Sequence, residues 1–350
     1  MNKKLLNWYN QTNRNMPWRD TSDPYKIWIS EVMLQQTKVE TVIPYYTNWI
    51  DTYPTIYDVH NEKIDKLLKI WEGLGYYSRV KNFKESCDII CKQYNGKIPQ
   101  NYNEFIKLKG VGPYIASAVL SIAFNKPLVS IDGNVNRVAS RYLSIDTSIR
   151  KSQIYISDYL SEKIIFFSSG DFNQAIMDLG RYVCKPKSPE CIRCPLKSDC
   201  KSYIDGTTEL YPIKLKTAKI PHYSIGVGII FKHEKLLITQ RAYKAMLGGL
   251  WEFPGGKKNK RESIKECVVR EIKEETNIDI DIVKKINNVK QVYSHFAVTI
   301  HPYLCRYISG DIKLDGPINY KWINKHKLNQ YAFPRANQKI IKQLENQNDI

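Results

Sequence analysis

Long apolar runs are missing from these 350 residues. No stretch approaches the roughly 20 apolar residues that a membrane-spanning helix needs. Near the start only Leu5 and Leu6 follow Lys3 and Lys4 before Asn7, too short a run for a secretory signal. A soluble, cytoplasmic protein that does not engage membranes is expected. A disulfide framework is also missing: Cys87, Cys91, Cys267 and Cys305 are scattered and read as small buried apolar residues, which points to a reducing compartment. Acidic residues are few, with 35 Asp and Glu against 53 Lys and Arg, a formal net charge of +18. That balance excludes a strongly acidic protein and suggests a polyanionic partner such as nucleic acid. Arginine is scarce as well, 13 against 40 lysines, and Asn and Ile are abundant, so part of the charge reflects an AT-rich genome and local motifs weigh more.

The remaining cysteines are concentrated. Cys184, Cys191, Cys194 and Cys200 form a Cys-x6-Cys-x2-Cys-x5-Cys array in a polar loop that also holds Lys185, Lys187, Arg193 and Lys197. Structural zinc usually takes two close Cys or His pairs, and this array offers one. Four thiolates suit a cubane iron-sulfur cluster, with zinc the second reading.

A chain of this length favours two domains. Up to about Gly180 apolar residues recur at helical spacing, whereas from Tyr223 short β-rich runs appear: Ser224–Phe231, Leu236–Gln240 and Val292–Tyr303. The expected organisation is a helical domain over 1–200 that includes the cysteine loop 184–200, a linker over 201–221 with Gly206, Pro212 and Pro221, and a mixed α/β domain over 222–350. Residues 1–210 hold 28 basic against 22 acidic residues and 211–350 hold 25 against 13.

Three features of the helical part carry chemistry. Glu31 falls four residues after Ile27 and three before Leu34, on the apolar face of a helix starting near Tyr25. Desolvation there raises a carboxyl pKa toward neutrality and makes a proton donor at pH 7; a buried carboxyl satisfied by a neighbouring donor is the plainer alternative. Leu108-Lys109-Gly110-Val111-Gly112-Pro113 separates two helical stretches, the second over Pro113–Ala123. Gly110, Val111 and Gly112 either turn backbone N–H groups toward a phosphate at a helix N-terminus or form an ordinary tight turn. In Ile131-Asp132-Gly133-Asn134-Val135, Asp132 precedes another helix and by itself reads as an N-cap.

Taken in order, Glu31-Val32-Met33-Leu34-Gln35-Gln36-Thr37, Trp71-Glu72-Gly73-Leu74-Gly75-Tyr76-Tyr77-Ser78-Arg79, the hairpin, Asp132-Gly133-Asn134-Val135 and the cysteine loop resemble the MutY-type adenine DNA glycosylase family over about Met16–Cys200. The resemblance implies an all-α helix-hairpin-helix glycosylase domain with a [4Fe-4S] cluster on the four cysteines. It also implies double-stranded DNA as partner and, as activity, removal of adenine mispaired with 8-oxoguanine or guanine in base excision repair by a monomer. Glu31 would protonate N7 of the flipped adenine and later help activate water. Asp132, kept ionised by helix amides, would support the cationic sugar, and Tyr114 and Asn134 would orient the two carboxylates. Gln36 and Tyr76 match residues that insert into the duplex, and Arg19, with Trp18 beside it, a residue near the adenine pocket. Related endonuclease III-like enzymes that also cleave the strand carry lysine where Tyr114 stands, and tyrosine forms no Schiff base, so a monofunctional hydrolase is expected. Lys109, on the loop side, is not expected to replace that lysine. Gln174 lies where some relatives carry glutamate and receives no role.

The C-terminal part resembles a Nudix domain. Leu236–Lys257 reads strand, turn, strand, ending in Trp251-Glu252-Phe253-Pro254-Gly255-Gly256, and Glu262–Thr276 reads as a charged helix. From Gly256 the Nudix pattern is met by Glu262, Arg270, Glu271, Ile272, Glu274, Glu275 and Ile278, with Asn277 where glycine is expected. In the MutY-type family this α+β domain recognises 8-oxoguanine, with Tyr293-Ser294-His295 matching the recognition loop, so Ser294 and His295 are the expected readers. Glu271, Glu274 and Glu275, at i, i+3 and i+4, keep a second reading open: Mg2+ binding and hydrolysis of a nucleoside triphosphate such as oxidised dGTP. For the chain as a whole, a glycosylase/lyase and a catalytically silent damage-binding module compete with the monofunctional hydrolase.

Overall fold

The helical periodicity of the first half is realised as twelve helices among the described residues, which in this computed structural model are 1–12, 16–146, 150–164, 168–213 and 219–346. They are α1 (Asn2–Asn10), α2 (Pro24–Leu34), α3 (Val39–Thr52), α4 (Ile56–Asn61), α5 (Ile64–Ile70), α6 (Ser78–Gln93), α7 (Tyr102–Phe105), α8 (Pro113–Phe124), α9 (Gly133–Leu143), α10 (Arg150–Ile164), α11 (Ser169–Tyr182) and α12 (Lys201–Ile204). Among the described residues no helix is long and apolar enough to cross a membrane.

The chain divides into two compact units, one of Met1–Asn61 with Asn82–Thr217 and the other of Glu62–Lys81 with Ala218–Ile350. The segment Glu62–Lys81, which a reading along the chain leaves inside the helical domain, therefore belongs to the second unit. The centre of the expected linker, residues 214–218, lies outside the described residues.

Two apolar clusters organise the first unit. In one, Trp28 packs against Phe83 and Phe105, with ring centroids 4.4 and 5.5 Å apart. In the other, Val135, Val138 and Ala139 of α9 meet Phe172, Ala175 and Ile176 of α11 and Leu5 of α1, with Cys184, Cys194 and Cys200 at the margin. The hairpin between α7 and α8 depends on Gly110, whose φ of +76° is left-handed and whose missing Cβ would lie 2.9 Å from Asn82 Cβ. Gly112 is the N-cap of α8 and Pro113 its first residue, where the missing N–H of proline costs no helical hydrogen bond.

The second unit is a mixed sheet between two helices. Its strands are β1 (His222–Lys232), β2 (Lys235–Gln240), β3 (Trp251–Glu252), β4 (Gly255–Lys257), β5 (Asp279–Lys285), β6 (Val289–Val292), β7 (Ala297–Ser309) and β8 (Asn319–Asn324). The order is β3-β2-β1-β7-β5; β4 pairs with β1, β6 with β7 and β8 with β2, and β1 runs parallel to β7. α13 (Ile264–Thr276) covers one face through Val268 and Ile272, and α14 (Arg335–Glu345) the other through Ile340 and Leu344. α13 opens two residues later than the sequence suggests because Ser263 caps it in a capping box with Glu266. It closes on Asn277 at φ +62°, the left-handed position where the Nudix pattern has glycine. The run Val292–Tyr303 is not one strand: Tyr293–Phe296 forms a turn between β6 and β7, closed by Tyr293 N–H donating to Phe296 O at 2.8 Å.

Candidate active site

Glu31 sits on α2 with 6% of its surface exposed. Burial pushes its carboxyl pKa up, and the Tyr114 hydroxyl opposes that rise by donating to Oε2 at 2.6 Å. Tyr114, at the second position of α8, is itself driven well up by burial and by the facing Glu31 and Asp132. Two residues 83 apart in sequence are thereby locked together by the packing of α2 on α8.

Asp132 is the N-cap of α9, and both its oxygens are engaged. Val135 N–H donates to Oδ1 at 2.7 Å and Asn134 Nδ2 to Oδ2 at 2.8 Å. The capping geometry thus aims the carboxylate. Burial raises its pKa from the ordinary aspartate value, and the hydrogen bonds from Val135 and Asn134 oppose that rise in favour of the carboxylate. Asn134 is held in turn by Arg137, which donates to Asn134 Oδ1 at 2.9 Å, to Gly180 O at 2.7 Å and to Cys184 O at 2.8 Å. Sequence reasoning missed Arg137, although its place one turn after Gly133 on α9 was the available signal.

Arg19 lies close enough to Glu31 and Tyr114 for its charge to act on both. Its guanidinium donates through Nη1 to Gln174 Oε1 and through Nη2 to Asp178 Oδ1 at 3.1 Å, the latter a salt bridge with side chains 14% and 4% exposed. Gln174, given no role from sequence, and Asp178, not singled out at all, stand one turn apart on α11. Trp18 is buried beside this segment, in edge contact with Tyr46.

The other expected residues occupy different places. Gln36 is exposed just past the end of α2 at φ +55°, and Tyr76 is 42% exposed at φ +47°; both are non-glycine residues held in the left-handed region. In the second unit the Tyr76 hydroxyl lies 2.6 Å from Ser294 Oγ. Ser294 and His295 are exposed at the tip of the turn between β6 and β7. Val111 is buried in the hairpin, and Lys109 Nζ pairs with Glu85 at the surface, 2.7 Å away.

The four cysteines share one loop in which Cys200 acts on Cys184, Cys184 and Cys200 act on Cys191, and all three act on Cys194. Burial and mutual repulsion push the Cys184, Cys191 and Cys194 thiols up, Cys194 to about 12. Thiolates in such a place call for a cationic partner. Arg141 supplies part of it, donating to Cys184 Sγ at 3.4 Å and to Lys185 O at 2.7 Å. Among the described residues no three His, Cys, Asp or Glu side chains converge as the ligands of a single ion would.

The acidic residues of α13 are divided by Arg270. Its guanidinium takes Glu262 at 2.7 Å, Glu271 at 2.9 Å and Glu274 at 2.8 Å. Glu275 turns inward and accepts from Gly255 N–H at 3.0 Å; burial, Glu252 and Glu271 push its pKa to about 8.

Comparison with known proteins fits this geometry. Residues 29–162 match the HhH-GPD superfamily of base excision DNA repair proteins, and residues 226–343 match the NUDIX domain. An adenine DNA glycosylase of Buchnera aphidicola is 34% identical over 97% of this chain and 96% of its own length. That of Schizosaccharomyces pombe is 34% identical over 72% and 68%, and that of Homo sapiens 27% over 98% and 73%. Among solved structures, a thermostable thymine-DNA glycosylase superposes with a TM-score of 0.54 at 28% identity, covering 58% of this chain and 94% of its own. Endonuclease III trapped in a covalent intermediate with DNA gives 0.50 at 25%, with the same coverage. The last two align with little more than half of the chain, whereas the Buchnera relative aligns along almost all of it, through both the helical site and the Nudix-like sheet, and on that likeness this chain belongs to the adenine DNA glycosylase family.

Proposed function

We propose that this chain hydrolyses the N-glycosidic bond of adenine mispaired with 8-oxoguanine or guanine in duplex DNA and leaves an abasic site. The observation that carries the reading is the buried Glu31 carboxyl bonded to Tyr114, in the same unit as an Asp132 carboxylate fixed at both oxygens. Glu31, its pKa raised by burial, donates its proton to N7 of the extruded adenine. The C1′–N9 bond then breaks with its electron pair leaving on the base. Asp132, fixed by Val135 and Asn134, offsets the positive charge on the sugar. Water adds to C1′ and gives up its proton to Glu31, now ionised, which restores the starting state. Tyr114 supplies no amine, so the strand stays intact.

The four cysteines suit a [4Fe-4S] cluster: the donor set is all sulfur, partly buried, and Cys184, Cys191 and Cys200 all lie near enough to act on Cys194. When bound, the cluster would neutralise the thiolates and hold the loop. Arg137 and Arg141 would then transmit that order from Cys184 and Lys185 to α9. In the second unit, Ser294 and His295 are the proposed readers of the 8-oxoguanine opposite the adenine. Salt bridges from Arg270 to Glu262, Glu271 and Glu274 support a structural α13 over a magnesium-dependent one.

The test is single-turnover adenine release from a duplex carrying A opposite 8-oxoguanine, with and without alkali. Strand breaks only after alkali are expected; breaks without alkali, or a borohydride-trapped adduct, would overturn the hydrolase reading. Ser294→Ala should lower the preference for 8-oxoguanine over guanine by about 2- to 10-fold, the worth of one hydrogen bond.

A further inference from the structure

The proton on Glu31 has to survive the presence of a guanidinium. Arg19 lowers the cost of ionising Glu31, and the other groups acting on that carboxyl are Tyr114 of α8 and Asp132 before α9. An uncompensated arginine at this site would favour the carboxylate and empty the general acid. What offsets it comes from α11. Asp178, with 4% of its side chain exposed, takes Nη2 of Arg19 at 3.1 Å, and Gln174 one turn earlier takes Nη1. Arg19 Nε is buried with no hydrogen-bond partner among the described residues, so the guanidinium is oriented through its two terminal nitrogens. An arginine only donates, so the atom of Gln174 facing it is the carbonyl oxygen, and that contact is neutral. Asp178 is therefore the carboxylate that compensates Arg19.

We propose that Asp178 is a positioning residue, which orients and neutralises Arg19 so that Glu31 enters the reaction protonated. The inference rests on the adenine-release reading and adds to it a residue that touches neither the base nor the sugar. Its signature is a pair of opposite shifts. Asp178→Asn leaves Arg19 uncompensated, favours the Glu31 carboxylate and moves the alkaline limb of the rate profile to lower pH. Gln174→Glu adds a second carboxylate beside the same guanidinium and moves that limb to higher pH. Each shift should be on the order of one pH unit, or about tenfold in rate on the falling limb.

The experiment is single-turnover adenine release from pH 5 to 9 by the full chain with its cluster, as wild type, Asp178→Asn, Asp178→Glu and Gln174→Glu. Expected are a lowered limb in Asp178→Asn, a limb near the wild-type position in Asp178→Glu and a raised limb in Gln174→Glu. An Asp178→Asn variant that loses rate equally at every pH, or keeps the wild-type profile, overturns the inference and leaves Asp178 structural. If Asp178→Asn does not fold, Gln174→Glu decides alone, and an unmoved or lowered limb there refutes the proposal. Wild-type protein that releases no adenine refutes the underlying reading instead.

Discussion

At the scale of single residues, the site is organised around the cost of burying carboxyl groups. The Glu31 pKa is raised because desolvation outweighs what Tyr114 and Arg19 return to its charged form. Removing this proposed general acid should cost roughly 10²- to 10⁴-fold in adenine release, the usual worth of a positioned general acid. Glu31→Gln keeps an acceptor for Tyr114, so duplex binding should persist while base release is lost, as gel shift and release assays on one preparation would record. The same substitution should stabilise the fold. The folded pKa of Glu31 lies above its unfolded value, so between the two the native chain holds a proton that the unfolded chain has released, and stability falls as pH rises. Glu31→Gln should accordingly raise Tm at pH 7.5 and lose that advantage near pH 4, where the carboxyl is protonated in both states; an equal Tm at pH 7.5 would mean that the burial is relieved in solution. Tyr114→Phe removes the donor that favours the carboxylate. Its alkaline limb should move to higher pH while the maximal rate drops, because Glu31 is better protonated but less well aimed.

At the scale of elements, close helix packing holds the Asp132 carboxylate in place. Gly180 of α11 lies against Asn134 of α9: a Cβ there would be 2.7 Å from Asn134 Cβ and 3.1 Å from its Cα and carbonyl oxygen. Gly180→Ala should push Asn134 off Asp132, lower Tm by the equivalent of about 1–3 kcal/mol as overpacked contacts do, and reduce adenine release; unchanged release would detach Asn134 from the mechanism. The periodicity that announces α2, α8 and α9 is local, which is why their positions could be read within a residue or two and why Glu31 stood out as a carboxyl on an apolar face. Asp132 was legible as a cap, and it is the N-cap of α9 that fixes its carboxylate. What the sequence could not give depends on tertiary packing. Asp178 and Arg137 look like ordinary charges on amphipathic helices until α11 brings them to Arg19 and Gly180. The Tyr293–Phe296 turn hid inside an unbroken β-rich run, because a turn closed by one backbone hydrogen bond needs neither glycine nor proline.

At the scale of the whole molecule, the order of the chain and the order of its units differ. Linear composition suggests that everything before the linker folds as one body, yet Glu62–Lys81 belongs with the C-terminal unit. Its anchors are specific. Asp65 accepts from Gln240 at 3.1 Å, Lys69 donates to Tyr331 O at 3.0 Å, Phe333 N–H donates to Glu72 at 2.7 Å, and Lys81 donates to Tyr243 O at 2.9 Å and Gly248 O at 3.1 Å. Most of these partners are backbone groups in the loop after β2 and the segment before α14, so the contacts depend on the folded shape of that unit more than on its side chains. Tyr76, carried by the same segment, meets Ser294 in this setting. A chain ending at residue 217 therefore removes more than the proposed 8-oxoguanine reader. It strips α5 and the Tyr76 turn of these hydrogen bonds, leaving polar groups to be satisfied by water and the segment free to open locally. Hydrogen exchange on the truncated chain should show amides of residues 62–81 exchanging much faster than in the full chain, while those of α8, α9 and α11 keep their protection. Adenine release should then fall along with selectivity, even though Glu31, Tyr114, Asp132 and Asn134 are all retained. If residues 62–81 exchange at the full-chain rate, the helical part is self-sufficient, and any loss of selectivity on truncation comes from the removal of residues 218–350 and not from loosening of residues 62–81.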